Sequence, residues 1–349
     1  MIMLIILTYS LFINTSFIQS LQLLKLWTII IASRISEIQL IKLINGITEY
    51  DQKLTSFPRY LLIHRLLPKK NYWNTIFMFT LIYYILITIL FMNIWPPKSI
   101  DMISIAVYFI RLEFITDVSL TLSSYFFLQQ LEYRFEMLNY SWKYLFPEFL
   151  TAPGEFTHSI TGMTLDKIRL LHTELSDLLR IFSEGYGKIL LGYFVFNYID
   201  MLLGFYYSII FTKNIKIYHF HNFIRKCVPY IFQLQNSILV LSIIIAASRV
   251  REKKRKMISH LRLIRISNLS ANLKIQIKLF MNQISVLESS EITAFGIFNI
   301  NLNLVVSIIT LLITGLVTII QMKQHPIMSK IEENINTFLQ NISVGNTTY

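Results

Sequence analysis

Cysteine is nearly missing from this chain of 349 residues. The one thiol, Cys227, excludes an intrachain disulfide framework and a cysteine-rich metal site. Glycine (10) and proline (8) are scarce, so few segments carry loop punctuation. Charged side chains make up only 15 %, against about 25 % in a soluble domain. These shortages exclude a disordered, collagen-like or nucleic-acid-binding chain and weigh against an ordinary soluble enzyme. What fills the space is apolar. Hydrophobic residues reach 54 %, and mean hydropathy is +0.53. The net charge of +12 then points to basic loops beside a membrane rather than to a nucleic-acid partner. The expected class is an all-α polytopic membrane protein.

A bilayer core about 30 Å thick needs about 20 apolar residues per helix. Seven stretches qualify, near 1–20, 22–45, 73–95, 103–128, 187–212, 227–248 and 297–321. The second carries Lys25, Arg34, Glu37 and Lys42, which leaves its depth open. The first begins at Met1 without a basic region and does not resemble a signal peptide. The third is the clearest, with Trp73 and Trp95 at its ends as interfacial anchors.

Basic residues set the orientation. Residues 46–72 hold five Lys or Arg, 129–188 hold six and 249–278 hold ten, among them Arg249, Arg251, Lys253, Lys254, Arg255 and Lys256. The alternate loops hold seven: Lys98, Lys213, Lys216, Arg225, Lys226, Lys323 and Lys330. This bias predicts a cytoplasmic N-terminus and an extracellular C-terminus. Residues 1–322 form the helical domain and 323–349 an extracellular tail. The orientation is opposite to that of a G-protein-coupled receptor, and no G protein is expected. The sequons at Asn341 and Asn346 would be extracellular.

Two inner loops keep helical spacing. Leu131, Phe135, Leu138, Trp142 and Leu145 form one apolar face; Leu165, Ile168, Leu175, Leu178 and Phe182 form another. Ile277, Phe280, Met281, Ile284 and Leu287 form a third. The membrane helices are expected to extend into a cytoplasmic anchor bundle, the alternative being helices lying on the membrane surface. The run Arg249–Lys256 is expected at the inner lipid face.

The last span carries the most informative pattern. Its polar residues are Asn303, Ser307, Thr310, Thr314, Thr318 and Gln321. At about 100° per residue they fall within an arc of roughly 80°. The stripe runs about 27 Å. A polar stripe at membrane depth must face protein or water. Facing water, it lines a pore that needs several copies to enclose. Facing protein, it is ordinary helix packing.

Several motifs resemble the insect gustatory receptor family, which is related to the insect odorant receptors. That family ends in Thr-Tyr, five hydrophobic residues and Gln-Phe. Here stand Thr314-Gly315, Leu316–Ile320 and Gln321-Met322, with Gly315 and Met322 departing from the pattern. Ile292–Asn301, Glu49–Leu54, Arg134–Asn139 and Leu170–Leu178 are similar to further family stretches, in the family's order. The resemblance covers about residues 45–322. It implies a taste receptor in the plasma membrane of a sensory neuron. It further implies a ligand-gated cation channel of four subunits, homomeric or mixed with related receptors. The pore would be lined by Asn303, Ser307, Thr310, Thr314, Thr318, Gln321 and Met322. Each subunit would hold a pocket for a small-molecule tastant between its helices, opening outward.

Ionisable residues inside spans mark candidate sites. Arg111 and Asp200 fall near mid-depth, with Tyr108 one turn outward of Arg111 and Tyr207 two turns outward of Asp200. Tyr230, Gln233 and Asn236 form an i, i+3, i+6 stripe in the outer half of the sixth span. These seven residues are the candidate ligand site, the alternative being a plain Arg111–Asp200 ion pair. Glu113 and Asp117 share a face of the fourth span, but a hydrolytic carboxylate pair does not suit a membrane helix. His219 and His221 lack a third ligand, so no metal is expected, and no cofactor. No nucleophile elbow or phosphate loop occurs, so no enzyme is expected. An odorant receptor and a small-solute secondary transporter are the competing readings. A transporter should show paired repeats and broken helices, and neither is found.

Overall fold

The computed structural model describes residues 17–55, 72–94, 112–151, 155–214, 220–262, 271–288 and 292–324. Among them are eight helices and one two-stranded hairpin. The helices are α1 (Phe17–Ile35), α2 (Glu37–Thr55), α3 (Trp73–Ile94), α4 (Leu112–Thr151), α5 (Glu155–Asn214), α6 (Phe220–Arg262), α7 (Ala271–Glu288) and α8 (Leu302–Gln324). The hairpin strands are β1 (Thr293–Ala294) and β2 (Phe298–Asn299). Four helical segments are long and apolar enough to cross a membrane: Trp73–Leu90, Leu165–Tyr206, Tyr230–Leu261 and Leu302–Met322. The second of these is about 60 Å long at 1.5 Å per residue, twice the hydrocarbon thickness. It therefore continues well beyond a bilayer, as the apolar periodicity of 165–182 predicts.

The described residues fall into two compact units. One comprises residues up to 196 with 239–304; the other comprises 197–238 with 305 onward. The first unit holds the main core. Leu131, Phe135, Leu138 and Trp142 of α4 are buried there, with Leu165, Ile168, Leu175, Leu178 and Phe182 of α5 and Ile277, Phe280 and Ile284 of α7. These are the faces picked out by their spacing, so the extended helices pack on one another as a bundle. Met281 is only half-buried. Leu145 and Leu287 lie outside the residues whose side chains are described.

Aromatic contacts fix the register inside the bundle. The Trp142 and His172 rings both meet Phe280 edge-on, at 5.9 Å and 5.7 Å between centroids. Around this apolar centre run polar ties between helices. Arg134 grips Asp51 with two hydrogen bonds, one from Nε at 3.0 Å. Lys53 reaches Glu174 at 2.8 Å. Lys253 pairs with Glu136, and its carbonyl accepts from Asn139. Helix α3 lies against α4, with Trp73 on Phe126 at 5.1 Å and Tyr84 stacked on Phe114 at 5.1 Å. Trp95 lies outside the described residues.

Helices α1 and α2 are nearly one rod. Only Ser36 interrupts them, and the Ser36 N–H to Ala32 and Leu40 N–H to Ser36 bonds carry the ladder across, each at 3.0 Å. The rod runs antiparallel to α5 at very short range. A Cβ on Gly46 would strike Leu178, and one on Gly192 would strike Thr28 at 2.9 Å.

The apolar run predicts a last span from about 297, but helix α8 starts at Leu302. The intervening residues close the hairpin, with Thr293 opposite Asn299 and Ala294 opposite Phe298. Its turn places Phe295 at φ 53° and Gly296 at φ 72°. Two positive φ angles are the signature of a type I′ turn, which glycine suits and phenylalanine does not. Asn301 then caps α8, its Oδ1 accepting from the Leu304 N–H at 3.2 Å.

Candidate functional site

All six polar residues of the α8 stripe are exposed: Asn303, Ser307, Thr310, Thr314, Thr318 and Gln321. Met322 is exposed too. The half-buried residues are Leu304, Val305, Ile308, Leu312, Gly315, Leu316 and Ile319, on the opposite side of the helix. Helix α8 thus touches its own chain through one apolar face and turns its polar face away. Within the second unit the partner is α5. The Tyr198 hydroxyl donates to the Leu311 carbonyl at 3.1 Å. A Cβ at position 315 would come within 2.9 Å of Leu202 Cδ1 and 3.2 Å of the Tyr198 hydroxyl. Gly315 is therefore a notch in which Leu202 and Tyr198 sit.

The stripe threonines are bonded in series. Thr310, Thr314 and Thr318 donate Oγ1–H to the carbonyls of Val306, Thr310 and Thr314 at 2.9, 2.8 and 2.9 Å. Each hydroxyl proton is thereby committed to the helix, and the oxygen lone pairs remain available. The exposed face presents a ladder of acceptors.

Tyr108, Arg111 and the side chain of Tyr207 lie outside the described residues, as do His219 and the side chains of Glu113 and His221. The remaining ligand candidates belong to the second unit. The Ser237 hydroxyl lies 3.6 Å from Met201 Sδ, and the Gln233 amide fills the space beside Gly204. These two contacts set α5 and α6 antiparallel, with the stretch holding Asp200 level with that holding Gln233 and Asn236. Asp200 and Asn236 are half-buried. Gln233 is buried, and its Oε1 accepts no hydrogen bond. Tyr230 is 43 % exposed. The expected Tyr230–Gln233–Asn236 stripe therefore splits: Gln233 packs on α5 while Tyr230 turns outward.

A buried polar cluster in the first unit escaped the reading of the sequence. Lys25 Nζ lies 2.6 Å from Asp117 Oδ2, with both side chains under a tenth exposed. The same ammonium stands 5.6 Å over the Tyr193 ring. The Tyr193 hydroxyl meets Thr121 Oγ1 at 3.2 Å. One of the charges that weaken the second span, Lys25, is thus matched by the carboxylate of the fourth, while Arg34 and Glu37 pair with each other at the exposed surface. A lysine and an aspartate in separate apolar stretches were the available signal.

His172 is enclosed between Phe135 and Phe280, and neither ring nitrogen has a hydrogen-bond partner. Burial lowers its pKa to about 4, with the Lys254 charge adding to the effect. Among the described residues no three His, Cys, Asp or Glu side chains converge on a metal position.

A family model described as 7tm chemosensory receptor matches residues 1–325. The structure is similar to the insect olfactory receptor OR5 from Machilis hrabei, with a TM-score of 0.53 at 13 % identity. The match covers 89 % of this chain and 84 % of that one. No curated protein matches the sequence.

Proposed function

The chain belongs to the 7tm chemosensory receptor family, a family of membrane-spanning receptors, and from that premise we propose that it is a taste-receptor subunit forming a ligand-gated cation channel. The observation that carries this reading is the direction of the α8 stripe. A face of six polar side chains is exposed on the isolated chain and lies opposite the face that touches α5. Lipid is not a tolerable neighbour for it. A ring of four copies around a water column gives it one. Orientation follows from the loop charges, with the N-terminus cytoplasmic, seven spans, and the receptor in the plasma membrane of a sensory neuron.

The chemistry of the lining follows from the threonine ladder. Hydroxyls that donate to their own backbone offer oxygen to the pore, which favours a cation over an anion. With no carboxylate ring, discrimination among cations is weak. Asp200, Gln233 and Asn236, level with one another on α5 and α6, carry the tastant site. Shifting a gate from 1:99 to 99:1 takes about 5.5 kcal/mol of differential affinity. Shared over four sites, this is about 1.4 kcal/mol each, a tenfold preference for the open state. Weak ligands suffice.

The Thr314 and Gln321 spacing supports a gustatory rather than an odorant receptor. The test is expression of the chain alone, with ligand-evoked current recorded while G-protein signalling is blocked. Current should persist, and Gln321→Leu should change single-channel conductance or gating. Current that vanishes with the G protein, or unaltered channels in the variant, refutes the proposal.

A further inference from the structure

The hairpin before α8 roofs a cavity of about 680 Å³ within the first unit. Its other walls are α2, through Gln39, and one face of α5. On α5 the residues Arg180, Ser183, Glu184 and Lys188 follow helical spacing, so they line the same side. We propose that this cavity binds a phosphate group, carried by a membrane phospholipid headgroup or by a soluble phosphate ester.

The charge pattern fits an anion. Arg180 and Lys188 supply two cations against the one carboxylate of Glu184. The Arg180 guanidinium is 3.4 Å from Asp177 and 3.9 Å from Glu184, with all three side chains about half exposed or more. Such exposed pairs are weak and exchange readily for a better anion. Lys188 has no carboxylate partner among the described residues. Its ammonium stands 5.9 Å over the Phe295 ring. Asn299 and Gln39 add amide donors. The volume lies in the range of small-ligand sites.

Position adds a reason for the site to matter. Lys188 is one residue inside the fifth span as read from the sequence, so the cavity opens where headgroups lie. The roof is fixed to α5. Ser183 Oγ accepts from the Thr293 N–H at 3.0 Å and donates to the Thr293 carbonyl at 3.1 Å. A Cβ at Gly187 would come within 2.8 Å of the Phe295 nitrogen. Phe295 itself holds a positive φ, a strained conformation that the surroundings must sustain. The hairpin leads through Asn301 directly into α8. An occupant therefore bears on the entry to that helix. The site rests on the span assignment of α5 and not on conduction.

The test uses the full chain purified into phosphatidylcholine nanodiscs, with a fluorescent phosphatidylinositol phosphate as probe and soluble inositol phosphate as competitor. Binding is read without any current, so it stands or fails apart from the channel. Saturable binding is expected. Lys188→Gln and Arg180→Gln should each weaken it about fivefold, and Glu184→Gln should tighten it about as much. Lys188→Arg should retain it. Competition by the soluble ester at equal concentration assigns the phosphate to a soluble source, and failure to compete assigns it to lipid; either outcome supports the site. Arg255→Gln removes an exposed cation of α6 that does not line the cavity. An equal loss in that variant means diffuse attraction and overturns the proposal. Absence of saturable binding, or no gain in Glu184→Gln should Lys188→Gln fail to fold, overturns it as well.

Discussion

Removing the Lys25 ammonium should cost far more than removing a surface charge. The pair is 2.6 Å long, and both side chains are under a tenth exposed. Asp117 Oδ1 has no other partner, so Lys25 is its main compensation. Lys25→Met strands a carboxylate among apolar helices. Breaking a buried pair from one side costs about 3–5 kcal/mol. Asp117→Leu takes the carboxylate from an ammonium that still stands over the Tyr193 ring, for a smaller loss. Replacing both removes the desolvation cost with the attraction, so the double variant should lie within about 1 kcal/mol of the native chain. The coupling energy from this cycle should then be at least about 3 kcal/mol. Tyr193→Phe supplies a scale, since it removes the neutral hydrogen bond to Thr121, worth about 1 kcal/mol. The assay is denaturant titration of the purified chain in mixed micelles, with ligand-evoked current measured in parallel. Single losses below 1 kcal/mol, or strictly additive effects, would refute the placement of these charges in one buried site.

His172 makes stability depend on pH. Its pKa is lowered to about 4 in the fold against 6.5 when free. Stability from this group is complete above about pH 6.5 and is lost as pH falls toward 4, because the unfolded chain takes up the proton first. The loss is about 2 kcal/mol at pH 5 and about 3 kcal/mol at the limit. His172→Leu should flatten this slope in melting curves from pH 7 to 5; an unchanged slope points to other groups. At Gly315, alanine needs only a small shift of the Leu202 methyl and should stay within about 1 kcal/mol of the native chain. Leucine there overpacks the notch, displaces Tyr198 from the Leu311 carbonyl and should cost about 1–3 kcal/mol. Equal melting of both variants would contradict the contact of α8 with α5.

The inner bundle was legible because packing repeats. Leu131, Phe135, Leu138 and Trp142 follow one helical face, and a long apolar periodicity can be satisfied only by burying that face. The polar stripe of α8 was legible for the same reason in reverse. What periodicity alone did not reveal depends on partners far apart in the chain. Lys25 weakened its span on sight, and only Asp117, 92 residues away, explains it. Gly315 departs from the family signature, and the explanation is Leu202 and Tyr198 on another helix. Two-residue strands are too short for an alternating pattern, so the hairpin at 293–299 was hidden inside an apolar run. Phe295 at a positive φ has no local signal at all. Tyr230 kept the spacing of Gln233 and Asn236 but not their burial, because an i, i+6 pair drifts off a single face.

The most direct test places cysteines along α8. Cys227 is the only native thiol, so a Cys227→Ser background is free of competing reaction. Cysteine at Ser307, Thr314 or Gln321 should react with a membrane-impermeant, water-soluble thiol reagent in the presence of ligand and alter the current. Cysteine at Ile308, Leu312 or Ile319, on the face against the chain, should not. Protection of all three stripe positions in every liganded state, or equal reaction on both faces, would contradict a water column along this helix.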